Sequence, residues 1–249
     1  MDDERILADY RDQGFVRIRG LLGAEVVAEV RHAIDRYQRE VVPTLPAGDY
    51  VLEKDRRAVR NLWRMDKHDR FFHALGTRPD VLELVAPLVQ GEPELRAVET
   101  FNKPSRVGSG VPYHQDNAYF CQTPPDMLTV WIALDGATVP NGAVCYVPGS
   151  HARGMLPHGP SGVQGNSIGL TEPPDPATVE EFCATLEPGD AVIHHCQVIH
   201  RSEPNRTDRP RCGLLMVYRG RHTRTDPQLE AAYRTALAAL ERRSGPNVA

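Results

Sequence analysis

Lysine is nearly missing from this chain. Lys54, Lys67 and Lys103 are all it has, and arginines spread along the sequence carry most of the positive charge. With a formal net charge of -4 and no basic cluster, nothing in the bulk charge points to nucleic acid or an anionic membrane as a partner. Long apolar runs are also missing; none approaches the ~20 residues that a membrane span needs. The opening "MDDERILADY" has neither the basic start nor the apolar stretch of a secretion signal, so a cytoplasmic location is the expectation. The five cysteines, Cys121, Cys145, Cys183, Cys196 and Cys212, are odd in number, scattered, and never at CxxC spacing. That argues against a disulfide framework or a cysteine zinc site and for buried free thiols.

What is present is enough for a packed core: 249 residues, 41% of them hydrophobic. "GAEVVAEVRHAIDRYQRE" puts Val27, Val30, Ile34 and Tyr37 on one helical face, and "RPDVLELVAPLVQG" does the same with Val81, Leu84, Val85 and Leu88. The middle of the chain changes character. "LRAVETFNKP", "VPYHQDNAYF", "LTVWIALDGA" and "GAVCYVPGSH" are short β-prone runs broken by Gly, Pro, Asn and Asp. Thr129, Trp131 and Ala133 alternate with Val130, Ile132 and Leu134, which is strand periodicity. Residues 153–178 read as a long loop rich in Pro, Gly and Ser, a candidate lid. Strands resume at "GDAVIHH" and "CGLLMVYRG", and "DPQLEAAYRTALAALERR" closes the chain as a helix with Asp226 at its cap and Pro227 at its first position. The expectation is one α+β domain over 1–249: a helical part to about 95, a β-sandwich or jelly-roll core over about 96–222, and a C-terminal helix over about 226–243.

The chemistry begins at His114-Gln115-Asp116. Residues i and i+2 of a strand share a face, so a histidine and a carboxylate could reach one point. A second histidine from a distant strand would give two His and one carboxylate, a set that leaves neighbouring positions of an octahedral Fe(II) open. His151, His158, His194, His195 and His200 are the candidates. His200 stands before a polar turn, with Arg211 on the next strand. An arginine there suits a site that also binds a carboxylate, because guanidinium grips carboxylate in a planar, bidentate way.

These segments together resemble the phytanoyl-CoA dioxygenase family of Fe(II)/2-oxoglutarate oxygenases. The matching residues are "HQD" at 114–116, "VWIALD" at 130–135, "NGAVCYVPGSH" at 141–151, "GDAVIHH" at 189–195, and His200, Ser202, Asn205, Thr207 and Arg211; the opening "YRDQGFVRIRGLL" is similar too. The resemblance implies a double-stranded β-helix core with flanking helices. It implies that His114, Asp116 and His200 bind iron, that Arg211 pairs with the far carboxylate of 2-oxoglutarate, and that Ser202 adds a hydrogen bond. Trp131 falls where the family often has a tryptophan beside the cosubstrate. Lys103 and Arg60 are its candidate basic residues for cosubstrate or substrate. The carboxylate Asp116 argues against halogenation, since related halogenases carry a small residue there. The implied reaction couples O2 and 2-oxoglutarate decarboxylation to oxidation of a substrate C–H bond, with hydroxylation, desaturation, epimerisation or ring closure as outcomes. The implied partner is a small molecule, for a monomer or homodimer. Asn117, Tyr119, Trp63, Arg64, Arg153 and His158 are the candidate substrate contacts. Two further readings stand beside this one: a metal-dependent jelly-roll hydrolase or isomerase with no need of Arg211, and a non-catalytic binding protein on the same fold.

Overall fold

The structure is a computed structural model that describes residues 3–46, 48–163 and 165–244. Two antiparallel sheets face each other. The larger runs, edge to edge, through strands Phe15–Ile18, Ala191–His195, Met127–Ala133, Arg211–Gly220, Pro93–Lys103, Val59–Leu62 and Tyr50–Leu52. The smaller runs through Phe182–Cys183, Val144–Tyr146, His200–Ser202 and Val111–His114. This is the double-stranded β-helix with mixed helices that the α+β pattern implies.

Alternation along the strands decides which side chains go where. On the outer face of the larger sheet Val98, Val130, Ile132, Leu214 and Met216 join Val27, Val30, Ile34 and Tyr37 of helix Ala24–Glu40 and Phe72 and Val81 of two shorter helices in one apolar cluster. Burying such a face supplies roughly 25 cal/mol per Å² of apolar surface, which fixes the sheet on its helical layer. The inner face carries Trp131, Ala133 and Val192, packed against Tyr146 and Val144 of the smaller sheet and against Phe15. At Gly189 a φ of +92° turns the chain into the Ala191–His195 strand, and a Cβ there would lie 2.2 Å from the Leu22 carbonyl oxygen. Only glycine fits that turn.

The first part of the chain is less helical than its pattern implies. Phe15–Ile18 forms one edge of the larger sheet, and Tyr50–Leu52 and Val59–Leu62 form the other. The charged run around Arg56–Arg60 hides the last of these; its strand character comes from pairing Asn61 with Phe101 and Leu62 with Thr100. The stretch expected as an open loop contains an antiparallel hairpin, His158–Val163 with Asn166–Leu170. The cysteine reading is corrected as well. Strand Phe182–Cys183 pairs with Val144–Tyr146 so that Cys183 lies opposite Cys145, and the two form a disulfide across 38 residues; Cys121, Cys196 and Cys212 are free thiols. Sequence spacing cannot reveal a pair that only strand register creates. Among the described residues no helix is long and apolar enough to cross a membrane.

Candidate active site

His114 ends its strand directly opposite His200, and His200 in turn lies opposite Tyr146 on its other side. The two imidazole centroids are 4.1 Å apart. Asp116 joins them by a different route from the expected strand alternation. The strand stops at His114, and Asp116 adopts helical angles (φ -59°, ψ -31°) at the head of the short helix Asn117–Phe120. This turn brings Asp116 Oδ1 to 3.4 Å from His114 Nε2 and 3.5 Å from His200 Nε2.

Hydrogen bonds fix what each atom offers. His114 Nδ1 donates to the Pro112 carbonyl at 2.9 Å, and His200 Nδ1 donates to the Val198 carbonyl at 3.0 Å. In each ring, when neutral, Nε2 is then the nitrogen that carries the lone pair. Burial, the largest effect, together with neighbouring His114, pushes His200 well below its ordinary value, so its ring is neutral and able to bind metal. On the far side of the carboxylate, Tyr146 Oη donates to His194 Nδ1 at 3.2 Å, and His194 Nε2–H donates to Asp116 Oδ2 at 3.1 Å. Thr129 Oγ1 donates to the same oxygen at 3.1 Å. Burial alone would raise the Asp116 carboxyl, but the surrounding imidazoles of His200, His114 and His194 hold it well below the usual range. A nitrogen of His114, a nitrogen of His200 and an oxygen of Asp116 thus converge, all within 4.8 Å of one another. Two imidazoles with one carboxylate are a donor set for divalent iron.

A second cluster lies at the other end of the inner face. Arg211 pairs in register with Lys103. Its guanidinium, only 2% exposed with the rest of the residue, stands 5.1 Å from the centre of the Trp131 ring. It donates to the carbonyls of Phe101 at 3.2 Å and Gly142 at 2.8 Å, while its Nε is buried without a partner. A Cβ on Gly213 would lie 2.3 Å from the Trp131 ring, so glycine is what lets the indole lie here. Lys103 Nζ donates to the carbonyls of Ser109 and Glu203 at 2.8 and 2.6 Å. Burial, then the charges of Arg211 and Arg60, push its ammonium down to about 6. Arg60 is paired with Glu53 at 3.1 Å and has its own unpartnered Nε. Ser202 is buried on the His200 strand. An unpartnered buried guanidinium nitrogen beside a second basic side chain fits an anion such as a carboxylate.

The remaining candidates divide. Tyr119 stands edge-on to His114 at 5.9 Å, with its hydroxyl on Asn166 Oδ1 and the Ile168 carbonyl of the hairpin. Trp63 meets Phe101 edge-on at 5.2 Å. Asn117 faces away: its side chain clasps the backbone of Gln122 in both directions. His158 is spent as a tie, since Nε2 accepts from Gln115 N and Nδ1 donates to the Leu156 carbonyl. Arg64 and Arg153 are exposed, Arg64 on Asp49. Gln115 turns from His114, Asp116 and His200 and binds Gly154, Gln197 and Leu156 of the backbone. Sequence reasoning left His194 unassigned and missed Tyr146 and Thr129. Their only signal is register: Thr129 lies opposite His194, and Tyr146 opposite His200.

Fold and donor set together place the chain among the non-haem iron oxygenases that use 2-oxoglutarate. The family model for phytanoyl-CoA dioxygenase (PhyH) matches residues 10–213, and the chain belongs to that family. It is 26% identical over 220 residues to a probable alpha-ketoglutarate-dependent hypophosphite dioxygenase of Stutzerimonas stutzeri, covering 84% of this chain and 76% of the relative. It is 30% identical over 172 residues to phytanoyl-CoA dioxygenase domain-containing protein 1 of Mus musculus, covering 66% of this chain and 58% of that one. Among solved structures, EvdO2 from Micromonospora carbonacea var. aurantiaca is 26% identical with a TM-score of 0.70, covering 88% of this chain and 91% of that one. The epimerase SnoN, solved with Fe3+, alpha ketoglutarate and nogalamycin RO, shares the fold at a TM-score of 0.74 and 23% identity, covering 99% and 92% of the two chains.

Proposed function

We propose that this chain oxidises a C–H bond of a small organic molecule, with iron held by His114, Asp116 and His200 and with 2-oxoglutarate as cosubstrate. The carrying observation is the meeting of donor atoms from His114, His200 and Asp116, each locked from behind by a hydrogen bond. Bound iron and 2-oxoglutarate supply the oxidising power when O2 is consumed; the chain supplies orientation and a dry site. His194, Tyr146 and Thr129 set the proton positions around Asp116, which leaves Oδ1 free for the metal. Arg211 and Ser202 receive the far carboxylate of 2-oxoglutarate, Trp131 backs the guanidinium, and Lys103 and Arg60 are the further basic residues of this end. Tyr119 and Trp63 border the substrate. The setting is secondary-metabolite biosynthesis in the cytoplasm, by a monomer or homodimer; SnoN, from nogalamycin biosynthesis, is similar in fold.

The test is iron-dependent conversion of 2-oxoglutarate to succinate and CO2 by the purified chain, with binding of both measured by calorimetry. The reading predicts binding and turnover in wild type, loss of iron in His114→Ala, and loss of 2-oxoglutarate affinity in Arg211→Ala. An iron-loaded wild type that neither binds nor consumes 2-oxoglutarate would point instead to a metal enzyme without this cosubstrate, and an unchanged 2-oxoglutarate affinity in Arg211→Ala would remove Arg211 from the cosubstrate site.

A further inference from the structure

The inner face of the larger sheet reads row by row in register: Lys103 with Arg211, Phe101 with Gly213, Glu99 with Leu215, Ala97 with Val217. Side chains on this face in a central strand are shielded by neighbours on both sides and by the opposite sheet. They reach solvent only where the interior is open. Glu99, Phe101 and Leu215 are half-buried rather than buried, and so is Trp63, which meets Phe101 edge-on. The opening therefore lies over this row, beside the metal residues, whose Asp116 side chain keeps 14% of its surface exposed. Glu99 is the one acidic side chain in these rows. Among the described residues no cationic side chain forms an ion pair with it: Arg64, the nearest cation that acts on it, spends its guanidinium on Asp49 and offers Glu99 only its backbone N–H. Burial, then the charges of Asp116 and Asp66, push the Glu99 carboxyl up to about 8. An unpaired carboxyl is costly in such a place unless a ligand completes it.

We propose that Glu99, Trp63 and Phe101 form a recognition box for a cationic amine, so that the substrate of this oxygenase carries an ammonium group. An arriving ammonium favours the ionised form of the Glu99 carboxyl, so the group beside two aromatic rings gives it both charge pairing and the negative face of a π-system. Leu215 offers apolar contact to the carbon frame on the same wall. The inference rests on the oxygenase reading for its claim about substrate, but its binding test is separate.

Choline and its uncharged isostere 3,3-dimethylbutan-1-ol serve as probes, titrated by calorimetry into the iron-loaded chain with 2-oxoglutarate present and, in parallel, into the metal-free chain. Wild type binds choline about tenfold more tightly than the alcohol, the scale of a partly desolvated cation–π and charge contact. Glu99→Gln binds the two alike, Glu99→Asp keeps part of the preference, and Trp63→Leu weakens choline by roughly three- to tenfold with little effect on the alcohol. Equal binding of both probes by wild type, absence of choline binding, or an undiminished preference in a folded Glu99→Gln overturns the box. Choline preference in a wild type that neither binds nor consumes 2-oxoglutarate would sink the oxygenase reading and leave the box standing; the reverse pattern would sink the box alone.

Discussion

The strand Arg211–Gly220 has two sides that obey different rules. Outward, Leu214, Met216 and Tyr218 are fully buried against the helical layer. Inward, Arg211, Gly213 and Leu215 hold a buried charge, a gap for an indole, and a half-buried wall. The outer side is built for stability, because any apolar side chain of the right volume serves there. The inner side carries an arginine at a cost in desolvation, with one nitrogen unpaired. Residues that stabilise nothing in isolation, yet sit deep in a fold, mark where a ligand completes the structure.

The sharpest way to break this comparison is to exchange damage between the sides. Asp116→Ala removes the only charged donor of the three. Iron binding and 2-oxoglutarate turnover should fall below detection, measured by metal analysis and succinate release, while the metal-free chain still folds and loses about 1–3 kcal/mol with the acceptor of the His194 and Thr129 hydrogen bonds. Leu214→Ala should do the opposite: about 2–5 kcal/mol lost in denaturant unfolding, with turnover per folded molecule unchanged. A large loss of iron affinity in Leu214→Ala would show that the two sides are not separable.

Arg211→Lys comes next. The ammonium keeps the charge but lacks the planar fork, and it cannot rest on Trp131 in the same way. The affinity for 2-oxoglutarate should fall by about tenfold to a hundredfold, the scale of one or two charged hydrogen bonds, with iron affinity unaffected. His194→Phe tests the proton network behind the carboxylate. Partners of this kind typically change metal affinity about ten- to a hundredfold, so competition with a coloured chelator should show that loss, and Tyr146→Phe a smaller one.

The two sides also differ in how far they could be read in advance. Val130, Ile132 and Leu134 announce an outer face by alternation alone, and the helices that cover it announce themselves by Val27, Val30, Ile34 and Tyr37. His114, Asp116, His200 and Arg211 were legible as a spaced set, though the set is held together by a turn into the helix at Asn117 and not by strand alternation. Thr129, Tyr146, His194 and Glu99 were not legible, because each acts through a neighbour that only register supplies. The same is true of Cys145 and Cys183, and of strand Val59–Leu62, whose charged surroundings mask it. Local pattern reports what one segment does with solvent; it does not report which segment lies across the sheet.

The one effect confined to stability concerns Lys103, the second basic side chain of the inner side. Its ammonium stands at about 6 in the folded chain, lowered first by burial and then by Arg211 and Arg60, against about 10.4 in an unfolded one. Between those values the unfolded chain binds a proton that the folded chain does not, so stability rises with pH. Below about pH 6 both states are protonated, and the full penalty of the buried charge is present and constant. In Lys103→Met that dependence is gone. The difference in unfolding free energy, wild type minus Lys103→Met, should be flat near pH 5 and then climb steadily toward wild type between pH 6 and 9, in urea titrations without metal or 2-oxoglutarate. A difference that stays level across that range would mean that Lys103 keeps its proton, held by the Ser109 and Glu203 carbonyls. The inner side would then carry two full charges at neutral pH, and a dianionic cosubstrate would have a still stronger reason to bind there.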